Sequence, residues 1–159
     1  MKKYESKARL DIPADEVLSL MATADYIQEE AFAIGAKEAT ATEQKRDDNS
    51  VTILVNRKDP TKEPGAKPGQ LEENEVTVVW DLEEKKDTWT VKVKGKEKLV
   101  DIRGTTWIEE DGDGCMLREK GSVDIKVPMI GNMVAKGVVK DLEKNVSKKA
   151  KLIQKKLRG

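Results

Sequence analysis

The sequence predicts an α+β domain in the order β-α-α-β6-α, a seven-stranded antiparallel sheet followed by one long helix. Apolar and polar residues alternate with period two in seven separate segments, and apolar residues recur at steps of three and four in three others, the last about 28 residues long. The chain has 159 residues, enough for one domain of ordinary size and too few for two, so residues 1–159 are read as a single domain.

The first strand is read from Lys2 to Ile12, where Lys3, Glu5, Lys7, Arg9 and Asp11 alternate with Tyr4, Ser6, Ala8, Leu10 and Ile12. Pro13 suits the first turn of a helix, in which its missing N–H would have no partner, and Asp15 and Glu16 favour the positive end of the helix dipole. Thr23 is placed to cap a second short helix over Ala24 to Ile34, with Tyr26, Ile27, Ala31 and Ile34 at helical spacing and Gly35 as its stop. A thin strand signal from Ala36 to Arg46 leads through Asp47-Asp48-Asn49-Ser50 to a third strand marked by Val51, Ile53 and Val55. Asp59 to Gln70 holds three of the five prolines and reads as a long loop, functional or mobile, with the fourth strand beginning near Glu75.

Val76, Val78, Trp80 and Leu82 form one face of that fourth strand. Beyond a polar turn at Glu83-Glu84-Lys85-Lys86-Asp87, the residues Trp89, Val91 and Val93 face the same way. The sixth strand, Glu97 to Glu110, puts Val100, Ile102, Gly104, Thr106 and Ile108 on one side, and Asp111-Gly112-Asp113-Gly114 is hairpin chemistry. In the seventh, Cys115 to Val127, the glutamate Glu119 shares a face with Leu117, Gly121, Val123, Ile125 and Val127. After Pro128, the residues Ile130, Met133, Val134, Val138, Leu142, Val146, Ile153 and Leu157 mark a helix that runs to the end of the chain. It carries nine Lys or Arg against Asp141 and Glu143, leaving +7 on the helix and −7 on the remainder.

Composition excludes several kinds of chemistry. There is no histidine, so there is no Ser-His-Asp or Cys-His nucleophilic pair, no His-ligated zinc and no histidine proton shuttle. The single cysteine, Cys115, forms no intrachain disulfide and no multi-cysteine zinc site. The acidic pairs lack calcium-loop spacing and read as turns, so neither metal nor cofactor is expected. Lys2, Lys3, Glu5 and Lys7 stand where a secretory signal needs apolar residues, and no stretch is apolar enough to span a bilayer. A cytoplasmic protein with no integral membrane segment is expected. The basic helix complements an acidic body and carries no recognised nucleic-acid motif, so no nucleic acid is expected as a partner.

The opening Leu10-Asp11-Ile12-Pro13-Ala14-Asp15-Glu16-Val17, the exit of the last strand through Val127-Pro128-Met129-Ile130-Gly131 and the long final helix, taken with the element order, resemble the START-like (SRPBCC, birch-pollen-allergen-like) superfamily. The run from Gly121 to Asn132 looks most like a bacterial branch of it named only as a domain of unknown function. The resemblance implies a helix-grip fold, in which a strongly curved sheet wraps the last helix and leaves a cavity for a lipid, polyketide or aromatic compound. It transfers no catalytic residue.

On that reading the ligand-binding residues are Tyr4, Val55, Trp80, Trp89, Glu119, Gly121, Met133, Val134 and Val138, with access controlled by the segment Asp59 to Asn74 and the start of the last helix. Few side chains here are large, which favours open space. Glu119 reads either as an inward carboxylate paired with a Lys or Arg or as a ligand anchor. The three tryptophans read as packing residues or as ligand-stacking walls. The expected function is a carrier or sensor of a hydrophobic small molecule. The alternatives are a polyketide cyclase/aromatase-like enzyme using Tyr4 or Glu119 as acid or base, and an interaction module with a filled cavity that binds a partner protein.

Overall fold

A sheet with one dry face must be covered, and here three helices cover it. The computed structural model describes residues Met1–Gly159 and contains β1 (Lys2–Leu10), α1 (Ala14–Met21), α2 (Ala24–Ala33), β2 (Glu38–Arg46), β3 (Ser50–Pro60), β4 (Leu71–Asp81), β5 (Lys86–Val93), β6 (Val100–Asp111), β7 (Gly114–Ile125) and α3 (Gly131–Arg158). All pairs are antiparallel, in the spatial order β1-β7-β6-β5-β4-β3-β2. The two short helices carry the chain from one edge of the curved sheet to the other, and α3 packs chiefly on β1 and β7. Thr23 caps α2 by accepting the Tyr26 N–H, and Gly35, at φ +117°, ends it.

Two glycines shape the concave face. Tyr4, Gly121, Gly104 and Trp89 stand side by side on β1, β7, β6 and β5. The place where a Gly121 Cβ would stand is 2.7 Å from the Tyr4 ring and 2.8 Å from the Arg103 carbonyl oxygen, and the Trp89 ring occupies the equivalent space over Gly104. The aromatic rings therefore lie across the glycines, a pairing that lets a sheet bend while its backbone stays covered.

Two boundaries differ from the sequence reading. β3 and β4 extend toward each other until Pro60 pairs with Leu71, so the loop shrinks to residues 61–70. The extra length is polar, and it holds because Arg57 donates to both Asp59 oxygens and Asn74 donates to Asp59 across the hairpin. The start of α3 is also rotated from the expected phase. Its buried face runs through Gly131, Ala135, Val139, Val146, Ala150 and Ile153, while Met133 is 61% exposed and Ile130 lies at the surface. Small residues let the helix sit close to the strands, since Gly131 rests against the Ile125 carbonyl with no room for a side chain.

Candidate functional site

Between the concave face and α2–α3 lies a chamber of about 110 Å³. Its walls are apolar, from Met21, Ile27, Ala31, Val55, Val76, Val78, Val91 and Leu142, with the indoles of Trp80 and Trp89. Six residues, Ile34, Arg57, Val76, Val91, Leu142 and Asn145, also border an outer vestibule of about 380 Å³ and so form a neck between the two spaces. The vestibule is rimmed by Asp59, Lys62, Glu72, Asn74, Asp141, Lys144 and Lys148. A Lys62–Asp141 ion pair of 2.6 Å ties the β3–β4 loop to α3 beside it.

The chamber floor is one cross-strand row. Trp80, Asp87, Thr106, Glu119 and Ser6 are successive partners on β4, β5, β6, β7 and β1, and strand pleating turns them all inward. Glu119, 1% exposed, accepts bonds from the Tyr4 hydroxyl at 2.6 Å, the Thr106 hydroxyl at 3.0 Å and the Lys149 ammonium at 2.8 Å. Lys149 reaches in from α3, its side chain 12% exposed, and also stands 3.6 Å from Glu30 of α2. Thr106 bridges the row, because its backbone N–H donates to Asp87 Oδ1 at 2.9 Å.

These contacts set the protonation states. Burial pushes the Asp87 carboxyl up to about 8, reinforced by Glu119 and Glu30 and opposed by Lys149 and the Thr106 amide. Asp87 is therefore a neutral acid at pH 7. The Lys149 ammonium is desolvated, but Glu119 and Glu30 outweigh that cost and hold its pKa above the usual lysine range. Burial and the bond to Glu119 keep the Tyr4 phenol protonated well beyond its ordinary range. The arrangement offers a ligand one neutral acid and a cation with carboxylate partners, all in a dry site where such groups act strongly.

Of the residues singled out from sequence, Val55, Trp80, Trp89 and Glu119 border the chamber, and Val138 borders the vestibule. Tyr4 touches the site only through Glu119, since its ring lies on Gly121. Gly121 and Val134 border neither space, and Met133 points to solvent, because the helix phase at its first turns is set by Gly131 and Ala135. Asp87, Thr106, Asn145, Lys149, Arg57 and Glu30 were missed. Asp87 shares the parity of Trp89 and Val91, and Lys149 stands seven residues beyond Leu142, so both lay on faces already marked as inward.

Solved structures with this fold include the Zhui aromatase/cyclase from Streptomyces sp. R1128, with a TM-score of 0.71, 10% identity and coverage of 99% of this chain and 96% of that one. Ara h 8.0201 matches with a TM-score of 0.65 at 9% identity, covering 97% of this chain and 98% of that one. Norcoclaurine synthase from Thalictrum flavum matches at 0.60 and 14% identity, covering 92% and 84%. At such identities the likeness is one of fold, the helix-grip architecture of a curved antiparallel sheet around a long C-terminal helix. No curated protein matches the sequence. Residues 5–157 match the family described as "Protein of unknown function (DUF2505)", and the chain belongs to that family.

Proposed function

We infer that the chain binds a hydrophobic or amphipathic small molecule in the chamber between sheet and α3, as a carrier or sensor. The observation that carries this reading is the chamber itself, an apolar space with a neck, a vestibule and a small set of convergent polar groups at one end. Ligand sites have this composition, with apolar walls for affinity and a few polar groups for orientation. The aromatase/cyclase and the norcoclaurine synthase among the structural neighbours support small-molecule chemistry in this fold.

The test is native mass spectrometry of the protein purified from its own host, followed by organic extraction of whatever co-purifies. A stoichiometric apolar or amphipathic molecule supports the reading and gives the ligand class. A clean apo mass, with no stabilisation by a panel of lipids, polyketides and aromatic compounds, refutes it.

A further inference from the structure

Charge on the chamber floor is out of balance, and the imbalance points to a ligand class. Glu30 and Glu119 set two carboxylates against the single ammonium of Lys149, and Asp87 adds a third carboxyl that burial holds neutral in the empty chamber. The guanidinium at the neck, Arg57, is taken by Asp59 in a two-bond pair. Lys149 is likewise taken by Glu119 and Glu30, which leaves Asp87 with no cation of its own. Asp87 is 6% exposed and lines the chamber, yet no protein group bonds its Oδ2. Trp80 stands directly across from it on β4 and Trp89 two residues along β5, so two indoles flank the carboxyl. The inner chamber is comparable with the ~150 Å³ void that holds benzene in an engineered protein, and the neck to the vestibule lets the second ring of a fused skeleton extend outward.

We propose, on the footing of the apolar-ligand reading above, that the chamber takes an amine carried on an apolar ring skeleton, with its ammonium group at the unpartnered Asp87 Oδ2. Glu30 from α2 and Glu119 from β7 supply the surrounding negative potential, against the positive charge of Lys149 from α3. Tyr4 of β1 stays neutral, and the Thr106 amide of β6 holds the other Asp87 oxygen. In the empty chamber Asp87 keeps its proton up to a pH of about 8. An entering ammonium reverses that balance: the Asp87 O–H bond breaks, the proton leaves to solvent, and the carboxylate remains paired with the ligand.

Indane, aminoindane and indanone share one skeleton and differ in a single substituent. Binding is read from tryptophan fluorescence, and proton release from calorimetry in two buffers of different ionisation enthalpy. At about pH 7, aminoindane binds at least about tenfold more tightly than indane, an advantage that rises about tenfold per unit as pH increases toward 8 and levels between pH 8 and 9. About one proton is released per amine bound near pH 6.5 and almost none near pH 9. Asp87→Asn, which keeps an oxygen for the Thr106 N–H and whose folding is checked by circular dichroism, brings the amine-to-indane ratio to about one and abolishes proton release. Indane binding with a ratio near one at every pH overturns the amine assignment and leaves the apolar-ligand reading standing. Preference for indanone overturns it in favour of neutral Asp87 donating to a carbonyl. Binding of none of the three overturns the amine assignment and leaves the apolar-ligand reading to the extraction test above.

Discussion

Asp87→Asn also tests the energetics of the chamber floor in the absence of any ligand. In the folded chain burial raises the Asp87 carboxyl from 3.8 to about 8. Between those limits the folded state holds a proton that the unfolded state has released. Stability attributable to this residue therefore falls as pH rises, by about 1.4 kcal/mol per pH unit, and the loss is complete above the folded pKa. From pH 5 to pH 8 this amounts to roughly 3–4 kcal/mol, a large part of the 5–15 kcal/mol typical of a whole domain. Asparagine is uncharged throughout and retains the acceptor for Thr106. The variant is thus about as stable as the wild type below the unfolded carboxyl pKa of 3.8, and the difference in its favour grows by roughly 3–4 kcal/mol between pH 5 and pH 8. Urea unfolding of both proteins from pH 5 to 9 measures the difference, in which titrations common to the two cancel. A difference that stays flat would show that folding leaves the Asp87 pKa unshifted, and one that turns against the variant as pH rises would show an ion-paired carboxylate; either would sink both this argument and the charge count behind the amine site.

Lys149→Met leaves Glu119 and Glu30 without their shared cation and is expected to cost about 3–5 kcal/mol in denaturant unfolding. Adding Glu119→Gln recovers part of that loss, and a purely additive double mutant would rule out the coupling. Gly104→Ala drives a methyl group into the Trp89 ring and the Lys120 carbonyl oxygen, for a loss of about 1–3 kcal/mol or more and a lower Tm in thermal unfolding. Met133→Lys, on the exposed side of α3, stays within about 0.5 kcal/mol of the wild type by the same measurement; a larger loss would mean that this face is covered in solution.

Element order was legible because alternation and helical spacing are written in the apolar residues, and the inward parity of β4, β6 and β7 follows from them directly. What stayed hidden was carried by residues that break the pattern. β3 continues to Pro60 through Asn56, Arg57 and Asp59, whose polarity suggests a loop until Asn74 is brought opposite to complete the cluster. The start of α3 was misphased because the larger side chains, Ile130 and Met133, face solvent while glycine and alanine face the strands. In the sequence Asp87 closes a polar turn and Lys149 is one of nine basic residues on the last helix. A charge is read as exposed until its partners are known, and here those partners, Thr106, Glu30 and Glu119, lie on three other elements.

The distribution of these exceptions supports a functional reading of the floor. The row beside it, Ile53, Val78, Trp89, Gly104, Gly121 and Tyr4, is filled by apolar residues, aromatic rings and glycines. On the other flank of that row, Val55, Val76, Val91, Ile102 and Val123 are wholly apolar. Between Trp80 and Ser6 the floor row alone places Asp87, Thr106 and Glu119 inward, and α3 sends its one nearly buried lysine to the same point. Replacing such a buried network with well-packed apolar residues is often neutral or stabilising by about 1–4 kcal/mol, so stability alone gives no reason for it to be polar. Departures from local rules that collect at one cavity and at its neck, where Arg57, Asp59 and Asn74 form the second polar cluster, are the pattern expected of a binding site.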